Sequence, residues 1–188
     1  MDKFKLAHNP NTPPEVLERL AYDEDVIVRI WAAYNTNTPQ EVLAKLATDV
    51  EVAVRGHVSN NPNIPPEVSE KLASDRVVEV RLNIACNPNT SADVLEKLAK
   101  DENLWVRYQV AYNSKTPPKV LEQLANDKHY RVRCRVAHNL NTPPEVLEKL
   151  VDDEDYCVRL IATLNPITPK YIKTYLLYQE YLDCYEQI

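Results

Sequence analysis

Glycine is almost missing from this chain: Gly56 is the only one among 188 residues, whereas prolines number 14. A phosphate-binding loop needs several glycines close together, so this class of nucleotide site is excluded. The four cysteines show neither C-x-x-C pairs nor zinc spacing: Cys86, Cys134, Cys157 and Cys184. Such scattered cysteines are typical of a reducing cytosol, so we expect a cytoplasmic protein. A disulfide between Cys134 and Cys157, on adjacent repeats, is the alternative.

Long apolar runs are also missing, so no membrane-spanning segment is expected, and residues 1–9 do not resemble a signal peptide. The net charge of −6 weakens nucleic acid as a partner. His8, His57, His129 and His138 show no metal-binding pattern, and no Ser/His/Asp or Cys/His arrangement can be recognised from spacing. We therefore expect no cofactor, no bound metal and no enzymatic activity.

A unit of 26 residues repeats along the chain with no insertion or deletion. Two of its positions recur as Thr12, Thr38, Thr90, Thr116, Thr142 and Thr168, and as Asn9, Asn35, Asn61, Asn87, Asn113, Asn139 and Asn165. Such a period indicates a solenoid, in which each unit buries its apolar face against its neighbours. We expect one domain over residues 1–188, with a partial repeat at 1–11, six full repeats over 12–167 and a capping helix at 168–188.

Each unit is predicted to hold two short helices. The first begins with a T-P-P-E capping box, in which the Thr12 hydroxyl accepts from a backbone N–H and Glu15 reaches back. The second begins near Asp23, which is placed to cap it. Asn35 is expected to end the second helix in the left-handed conformation that glycine usually adopts. Asparagine at this position accounts for the missing glycines.

The last helix is expected to be longer than the others. Tyr171, Tyr175, Tyr178, Leu182 and Tyr185 follow one another at steps of four and three, which predicts one amphipathic helix over residues 168–188. We expect this helix to cover the last core face of the array. A dimer or partner contact through the same helix is the alternative, since tyrosine is enriched at interfaces.

The repeated pattern N-P-N-T-P-P-E-V-L-E-K-L-A…D-x-x-x-x-V-R resembles the leucine-rich repeat variant family and the wider HEAT-like group, from about Ala7 to Ile172. The resemblance implies an all-α, right-handed superhelical solenoid of two-helix repeats, in which one segment of each unit, or part of it, is a 3₁₀-helix. It implies no particular partner, because such solenoids serve many. The iron–sulfur cluster of some family members does not transfer, since no cysteine precedes Cys86.

Positions that stay constant among the repeats are expected to serve the shared architecture. Asp23 and Arg29 are constant in every full repeat. A half-buried arginine needs a charged partner, so these residues predict a ladder of Asp–Arg pairs. The ladder would join each second helix either to its own unit or to the next.

Positions that vary on one helix face are the candidates for binding. The positions of Ile27, Ile30, Trp31 and Tyr34 share one face of the second helix, and second helices usually line the concave surface of a solenoid. The sequence therefore predicts that a protein or peptide binds there. The candidate residues are Trp31, Tyr34, His57, Asn60, Asn83, Trp105, Tyr108, Gln109, Tyr112, Arg131, Arg135 and His138. Packing between neighbouring units is the alternative role of the aromatic residues.

Two other functions remain open from the sequence. A HEAT-like nucleic-acid-binding protein or DNA glycosylase would use a basic groove with tryptophans and a carboxylate, and Glu79 is the only carboxylate at the varying positions. The small number of arginines outside the Asp–Arg ladder counts against this function. A HEAT-like chromophore lyase or scaffold subunit is the third possibility.

Overall fold

The computed structural model describes residues 2–174, which fall into two compact units with the boundary between Lys115 and Thr116. Every regular element in this range is a helix. The first unit holds α1 (Lys3–His8), α2 (Pro14–Leu20), α3 (Val26–Tyr34), α4 (Gln40–Leu46), α5 (Val52–Asn60), α6 (Pro66–Leu72), α7 (Val78–Cys86), α8 (Ala92–Leu98) and α9 (Leu104–Tyr112). The second unit holds α10 (Pro118–Leu124), α11 (Tyr130–His138), α12 (Pro144–Leu150) and α13 (Tyr156–Leu164), and residues 170–174 are also helical.

The helices alternate in length with the sequence repeat. Those we call first helices (α2, α4, α6, α8, α10, α12) have seven residues, and the second helices (α3, α5, α7, α9, α11, α13) have nine. Both kinds are α-helical, and hydrogen bonds of the 3₁₀ type occur at their ends, as from the Val16 N–H to the Pro13 carbonyl. The predicted all-α solenoid of two-helix repeats is confirmed within each unit. The 3₁₀ segment that the family resemblance implied is not found among residues 2–174.

The core lies between the two kinds of helix. In the first unit α1, α3, α5, α7 and α9 pack side by side, and each first helix packs on the second helix of its own repeat; α11 and α13 pack together in the second unit. Leu17 on a first helix, and Val54 and Val58 on a second helix, are fully buried. Val54 and Val58 are four residues apart, so one face of α5 enters the core. Burying such a side chain contributes about 1.5–3 kcal/mol.

The first helices begin after the threonine of the T-P-P motif. Pro13 is the N-cap of α2, and no side chain caps this helix. The Thr12 hydroxyl instead donates to the carbonyl of Leu6 in the last turn of α1, and Thr38 does the same to Ala32 of α3. The predicted capping box is therefore wrong. The threonine is recruited by the last turn of the preceding helix, whose carbonyls have no partner within that helix.

The second helices begin two residues later than predicted. Asp25 caps α3 by accepting from the Ile27 N–H at 2.8 Å. Asp23 accepts from the Asp25 N–H at 3.1 Å and so shapes the turn before the helix. Asp23 is therefore not the cap, because its side chain is already used in that turn and in a pair with Lys3.

The recurring asparagines do not adopt the left-handed conformation. Asn35 ends α3 with φ −65° and ψ 127°, which is extended backbone. None of residues 2–174 has a positive φ. The expected left-handed end of the second helix is therefore wrong, and the asparagine must be required for another reason.

Two further expectations concern the whole chain. Most of the predicted capping helix at 168–188 lies outside the described residues, which end at residue 174. Within the described part, no helix combines the length and the apolar character that crossing a membrane requires.

Candidate partner-binding face

A ladder of buried asparagine side chains joins consecutive second helices. The Asn61 amide Nδ2 donates to the carbonyls of Ala33 at 2.8 Å and Asn35 at 3.0 Å, and its Oδ1 accepts from the Asn63 N–H at 2.9 Å. Equivalent bonds to the preceding repeat are made by Asn35, Asn87 and Asn113 in the first unit and by Asn165 in the second. An amide supplies two donors and an acceptor in one side chain. The ladder therefore fixes how neighbouring second helices lie against each other.

A second ladder pairs arginine with aspartate. Arg55 Nε and Nη2 donate to the two carboxylate oxygens of Asp75 in the next repeat, at 2.6 and 3.1 Å. Arg55 Nη1 donates to the carbonyls of Asp49 and Val50 in its own repeat. The same bidentate geometry occurs in Arg29–Asp49, Arg81–Asp101 and, in the second unit, Arg133–Asp153. The predicted ladder thus runs from α3, α5, α7 and α11 to the repeat that follows each of them.

In each Asp–Arg pair of the ladder, both the carboxylate and the guanidinium are charged at neutral pH. Burial acts to raise the pKa of Asp75, but the hydrogen bonds from Arg55 and from the Val77 N–H outweigh it, so this pKa lies below its usual value. The same balance lowers the pKa of Asp49, Asp101 and Asp153. These arginines are committed to a structural pair within the chain, so they are not candidates for binding a partner.

The opposite side of each second helix is open to solvent. We call the second-helix face the surface made by the positions equivalent to 27, 30, 31 and 34 of α3. In the first unit these positions are half-buried or exposed on α3, α5, α7 and α9. The predicted binding residues on this face of the first unit are Trp31, Tyr34, His57, Asn60, Asn83, Trp105, Tyr108, Gln109 and Tyr112. In the second unit Arg131, Arg135 and His138 take the same positions on α11.

Five rings form one aromatic cluster on the first unit: Phe4, His8, Trp31, Tyr34 and His57. The centroid of Trp31 lies 4.4 Å from that of His8, 5.7 Å from that of Phe4 and 5.5 Å from that of Tyr34, with edge-to-face geometry. Tyr34 reaches His57 on the next second helix at 6.0 Å. Phe4 and His8 were not predicted as binding residues, because they join the cluster only through the packing of α1 beside α3.

A cleft of about 380 Å³ opens beside the aromatic cluster, where α3 and α5 end. It is lined by His8, Pro10, Tyr34, Asn35, Thr36, Asn60 and Pro62. Two proline rings and a tyrosine give it apolar walls, and the amide of Asn60 adds a donor and an acceptor. This mixture is usual in sites that bind small ligands or single side chains.

The smallest side chains of this face in the first unit lie on α5, which packs between α3 and α7. Ala53 and Gly56 stand where α3 has two isoleucines and where α7 has a glutamate and a leucine. The Asn83 amide of α7 lies over Gly56: its Nδ2 donates to the Gly56 carbonyl at 3.2 Å and would lie 3.5 Å from a Cβ at this position. Asn60, the last residue of α5, lines the cleft.

The second-helix face of the first unit is almost uncharged. Glu79 is the only acidic or basic residue, histidine aside, at its positions on α3, α5, α7 and α9. Burial lowers the pKa of His57, so this ring is neutral at pH 7. A polyanion finds no cationic side chain here, whereas an uncharged or mildly basic peptide meets no like charge.

The second unit presents a different surface. Arg131 is exposed on α11, where its Nε donates to the Tyr130 hydroxyl at 3.2 Å, and Arg135 is half-buried. A cleft of about 390 Å³ is lined by His138, Leu140, Ile161, Leu164, Asn165 and Pro166. This face therefore combines positive charge on α11 with apolar side chains on α13.

Between residues 2 and 174, no cluster of three His, Cys, Asp or Glu side chains is placed to hold a metal ion. Cys86, Cys134 and Cys157 are free thiols. Burial raises the pKa of Cys134 to about 11, so its thiol stays protonated at neutral pH and is a poor nucleophile.

Comparison with known proteins agrees with the repeat architecture. The model of the leucine rich repeat variant family matches residues 4–25 and 130–155. A solved structure described as a leucine-rich repeat variant with a novel repetitive structural motif shares 31% identity with a TM-score of 0.65. That match covers 81% of this chain and 61% of the other, so the chain spans less than two thirds of that relative.

A second solved structure shows the fold alone. The X-ray structure of YibA from E. coli is 18% identical, with a TM-score of 0.54, and the match covers 87% of this chain and 73% of the other. Among curated proteins, none matches this chain.

Proposed function

We propose that this chain, whose repeats are those of the leucine-rich repeat variant family, is a non-enzymatic binding module. Its first unit would hold an extended peptide segment of a partner protein across the second-helix face. The observation that carries the proposal is the aromatic cluster: five touching rings at the surface, beside a cleft of about 380 Å³. Tryptophan and tyrosine are the residues that most often dominate binding energy at interfaces.

Packing of the repeats does not account for Tyr34. Tyr34 leaves 58% of its surface in solvent, so it contributes little to the core. The positions equivalent to Tyr34 hold Asn60 on α5 and Cys86 on α7, in repeats of the same geometry. A side chain that neighbouring repeats replace by asparagine or cysteine is not needed for the shared architecture.

Amide side chains provide the polar part of such a site. Asn60, Asn83 and Gln109 lie on three successive second helices, and each amide offers a donor and an acceptor. Packed helices lie roughly 10 Å apart, and an extended peptide rises about 3.3 Å per residue. A peptide that crosses the helices would therefore meet one amide about every third residue, which suits pairing with its backbone.

Selection from a peptide library tests the proposal. A library of random dodecapeptides displayed on phage would be panned against the full chain, and the dissociation constants of the enriched peptides measured by fluorescence anisotropy. We expect Trp31→Ala with Tyr34→Ala to weaken these peptides about 30-fold or more, which corresponds to a loss of about 2 kcal/mol.

Tyr22→Ala is the matched control for that experiment. Tyr22 is as exposed as Tyr34, at 56%, but follows the first helix α2. Its substitution should leave the dissociation constants unchanged. A library from which the wild-type chain enriches nothing, or a loss of equal size in Tyr22→Ala, would contradict the proposal.

Duplex DNA is the second candidate partner, favoured by Arg131 and Arg135 on α11 of the second unit. The second-helix face of the first unit has no lysine or arginine, which counts against DNA, since phosphate contacts dominate affinity for nucleic acids. Anisotropy of a labelled duplex at low salt separates the two proposals. Binding that weakens steeply with salt, and that is lost in Arg131→Ala with Arg135→Ala, would favour DNA over a peptide.

A further inference from the structure

Helix α13 carries the last arginine of the repeated position, Arg159, which is half-buried. Its Nη1 donates to the carbonyls of Asp153 at 2.7 Å and Glu154 at 3.0 Å. Arg55 makes the same two bonds to carbonyls of its own repeat. The centroid of the Tyr156 ring lies 5.8 Å from the guanidinium carbon of Arg159. The Arg159 guanidinium is therefore held by the same backbone contacts as the arginines of the Asp–Arg ladder.

The aspartate that would complete this pair is missing from the sequence. Nε and Nη2 of Arg55 donate to Asp75, 20 residues further along the chain. The residue 20 positions after Arg159 is Gln179, which has no carboxylate. Among residues 2–174, Nε and Nη2 of Arg159 have no hydrogen-bond partner.

The carboxylates of the preceding turn do not take the place of that aspartate. The Asp153 carboxylate accepts from Nε and Nη2 of Arg133, at 2.7 and 2.8 Å. The Glu154 carboxylate accepts from Arg133 Nη2 at 3.0 Å. Both acids next to Arg159 are thus directed to the arginine of the preceding repeat, and the Nε–Nη2 edge of Arg159 stays open.

The surface of α13 beside this edge is also uncovered; we call it the outer side of α13 (Arg159, Leu160 and Thr163). Thr163 is half-buried, and in earlier repeats the carbonyl at its position accepts from an asparagine of the next repeat. Leu160, which stands where Gly56 contacts Asn83 of the next repeat, leaves 43% of its surface in solvent. The residues equivalent to Thr163 are fully buried in four earlier repeats: Ala33, Ser59, Ala85 and Ala137.

We propose that Arg159 is a carboxylate-binding site, and that the outer side of α13 docks a helix of a partner protein that presents an aspartate to it. Charge complementarity identifies the ligand group, because a bidentate pair of arginine and carboxylate is among the strongest hydrogen-bonded contacts in proteins. This inference goes beyond the peptide site of the first unit. Four equivalent arginines of this chain hold an aspartate through the same two nitrogens: Arg29, Arg55, Arg81 and Arg133.

The pairs within the chain also specify where the partner's aspartate stands. Asp75 lies three residues before the start of α7 at Val78, and its Oδ1 accepts from the Val77 N–H at 2.9 Å. The partner is therefore expected to carry an aspartate in the turn that precedes its docking helix. A second copy of this chain is not the expected partner, because these turn aspartates are already paired: Asp23, Asp49, Asp75, Asp101 and Asp153.

Two phage libraries that differ at one residue test the proposal. Both display peptides built on the sequence of residues 72–89, because α7 and Asp75 dock on α5 and Arg55 in this chain. Positions 79, 82, 83 and 86 are randomised, and position 75 is aspartate in one library and asparagine in the other. Panning against the full chain should enrich phage at least about tenfold more from the aspartate library.

Variants of the full chain locate the site of the selected peptides, whose dissociation constants are measured by fluorescence anisotropy. Arg159→Lys keeps the charge but loses the planar fork, so it should weaken these peptides at least about tenfold. Arg19→Lys, on the exposed surface of α2, is the matched control and should leave the dissociation constants unchanged. Trp31→Ala with Tyr34→Ala should also leave them unchanged, which separates this surface from the peptide site of the first unit.

Melting temperatures of the unbound chain test whether the site is open. Arg133→Gln leaves the Asp153 carboxylate without its cation, so it should lower the melting temperature by about 6 °C or more. The same substitution at Arg159 separates no ion pair. Arg159→Gln should therefore shift the melting temperature by less than about 2 °C.

Four results would overturn the inference. Equal enrichment from the two libraries would show that the carboxylate is not recognised, and wild-type affinity in Arg159→Lys would place the peptides elsewhere. If Arg159→Gln destabilises the chain as much as Arg133→Gln, the site is already filled by residues 175–188 of the same chain. A dimer in light scattering that Arg159→Gln abolishes would identify a second copy as the occupant.

Discussion

At the scale of single residues, the repeated asparagine has the most informative role. Five of these side chains satisfy backbone groups of the preceding repeat as well as of their own turn, as Asn61 does with Ala33 and Asn35. The sequence showed that the residue is constant but led to the wrong reason. One signal was available: glycine stands at none of the seven positions, although a left-handed helix end would accept it.

Replacing one rung of the asparagine ladder should be costly. Asn61→Ala leaves the carbonyls of Ala33 and Asn35 without their side-chain donor in a buried position. We expect the free energy of unfolding to fall by about 3 kcal/mol, measured by urea denaturation. The neighbouring Asn60, which is exposed, is the control, and Asn60→Ala should change stability by less than about 0.5 kcal/mol. Equal effects at the two positions would argue against the ladder.

At the scale of helices, the sequence period places every element, but hydrogen bonds between repeats decide where each one begins. The local motif T-P-P-E predicts a cap at Thr12, yet the Leu6 carbonyl of α1 takes the hydroxyl. Asp23 is likewise used in a turn and in a pair with Lys3, so the cap of α3 moves to Asp25. Helices of seven to nine residues are marginal alone. Their ends therefore follow tertiary contacts that local motifs do not contain.

The Asp–Arg pairs between neighbouring helices make stability depend on pH. The pKa of Asp75 is lower in the folded chain than its usual value of 3.8. The contribution of the Asp75 carboxylate to the free energy of unfolding is therefore complete above about pH 4, and it is lost as the pH falls through the folded-state pKa. Asp75→Asn should reduce the free energy of unfolding by about 3 kcal/mol at pH 7, because Arg55 stays buried without a charged partner.

The same variant should also be less sensitive to acid. Between pH 5 and pH 2, guanidinium denaturation should show a smaller loss of stability in Asp75→Asn than in the wild-type chain, since one depressed carboxyl group is missing. Asp152→Asn is the control, because Asp152 is exposed, and we expect the wild-type pH profile there. An Asp75→Asn profile parallel to that of the wild-type chain would contradict the assigned pairing.

At the scale of the whole molecule, the same side-chain pairs recur within each unit, while the residues of the second-helix face vary. The asparagine and Asp–Arg ladders repeat without regard to which residues occupy the second-helix face. The sequence was therefore sufficient to predict this face, by comparing constant with varying positions. It was not sufficient to find the aromatic cluster, because Phe4 and His8 precede the first full 26-residue unit and reach Trp31 only through packing.

Within the first unit, helix α1 should open locally more easily than helix α5. Helix α5 packs between α3 and α7, whereas α1 has a second helix on one side only. An element with fewer packed neighbours opens more easily. Amide hydrogen exchange should therefore be at least about tenfold faster in α1 than in α5. Equal protection of the two helices would indicate that the unit opens as a whole.

Mapping the bound peptide on the chain tests the central claim most directly. The wild-type, ¹⁵N-labelled chain would be titrated with a library-selected peptide, and amide chemical shifts followed by TROSY spectra. The largest changes are expected in residues 53–60 and 79–86 and at the Trp31 indole N–H, with first helices α4 and α6 unchanged. Shift changes confined to α4 and α6 would show that the peptide binds on the other side, and the second-helix face would then not be the binding surface.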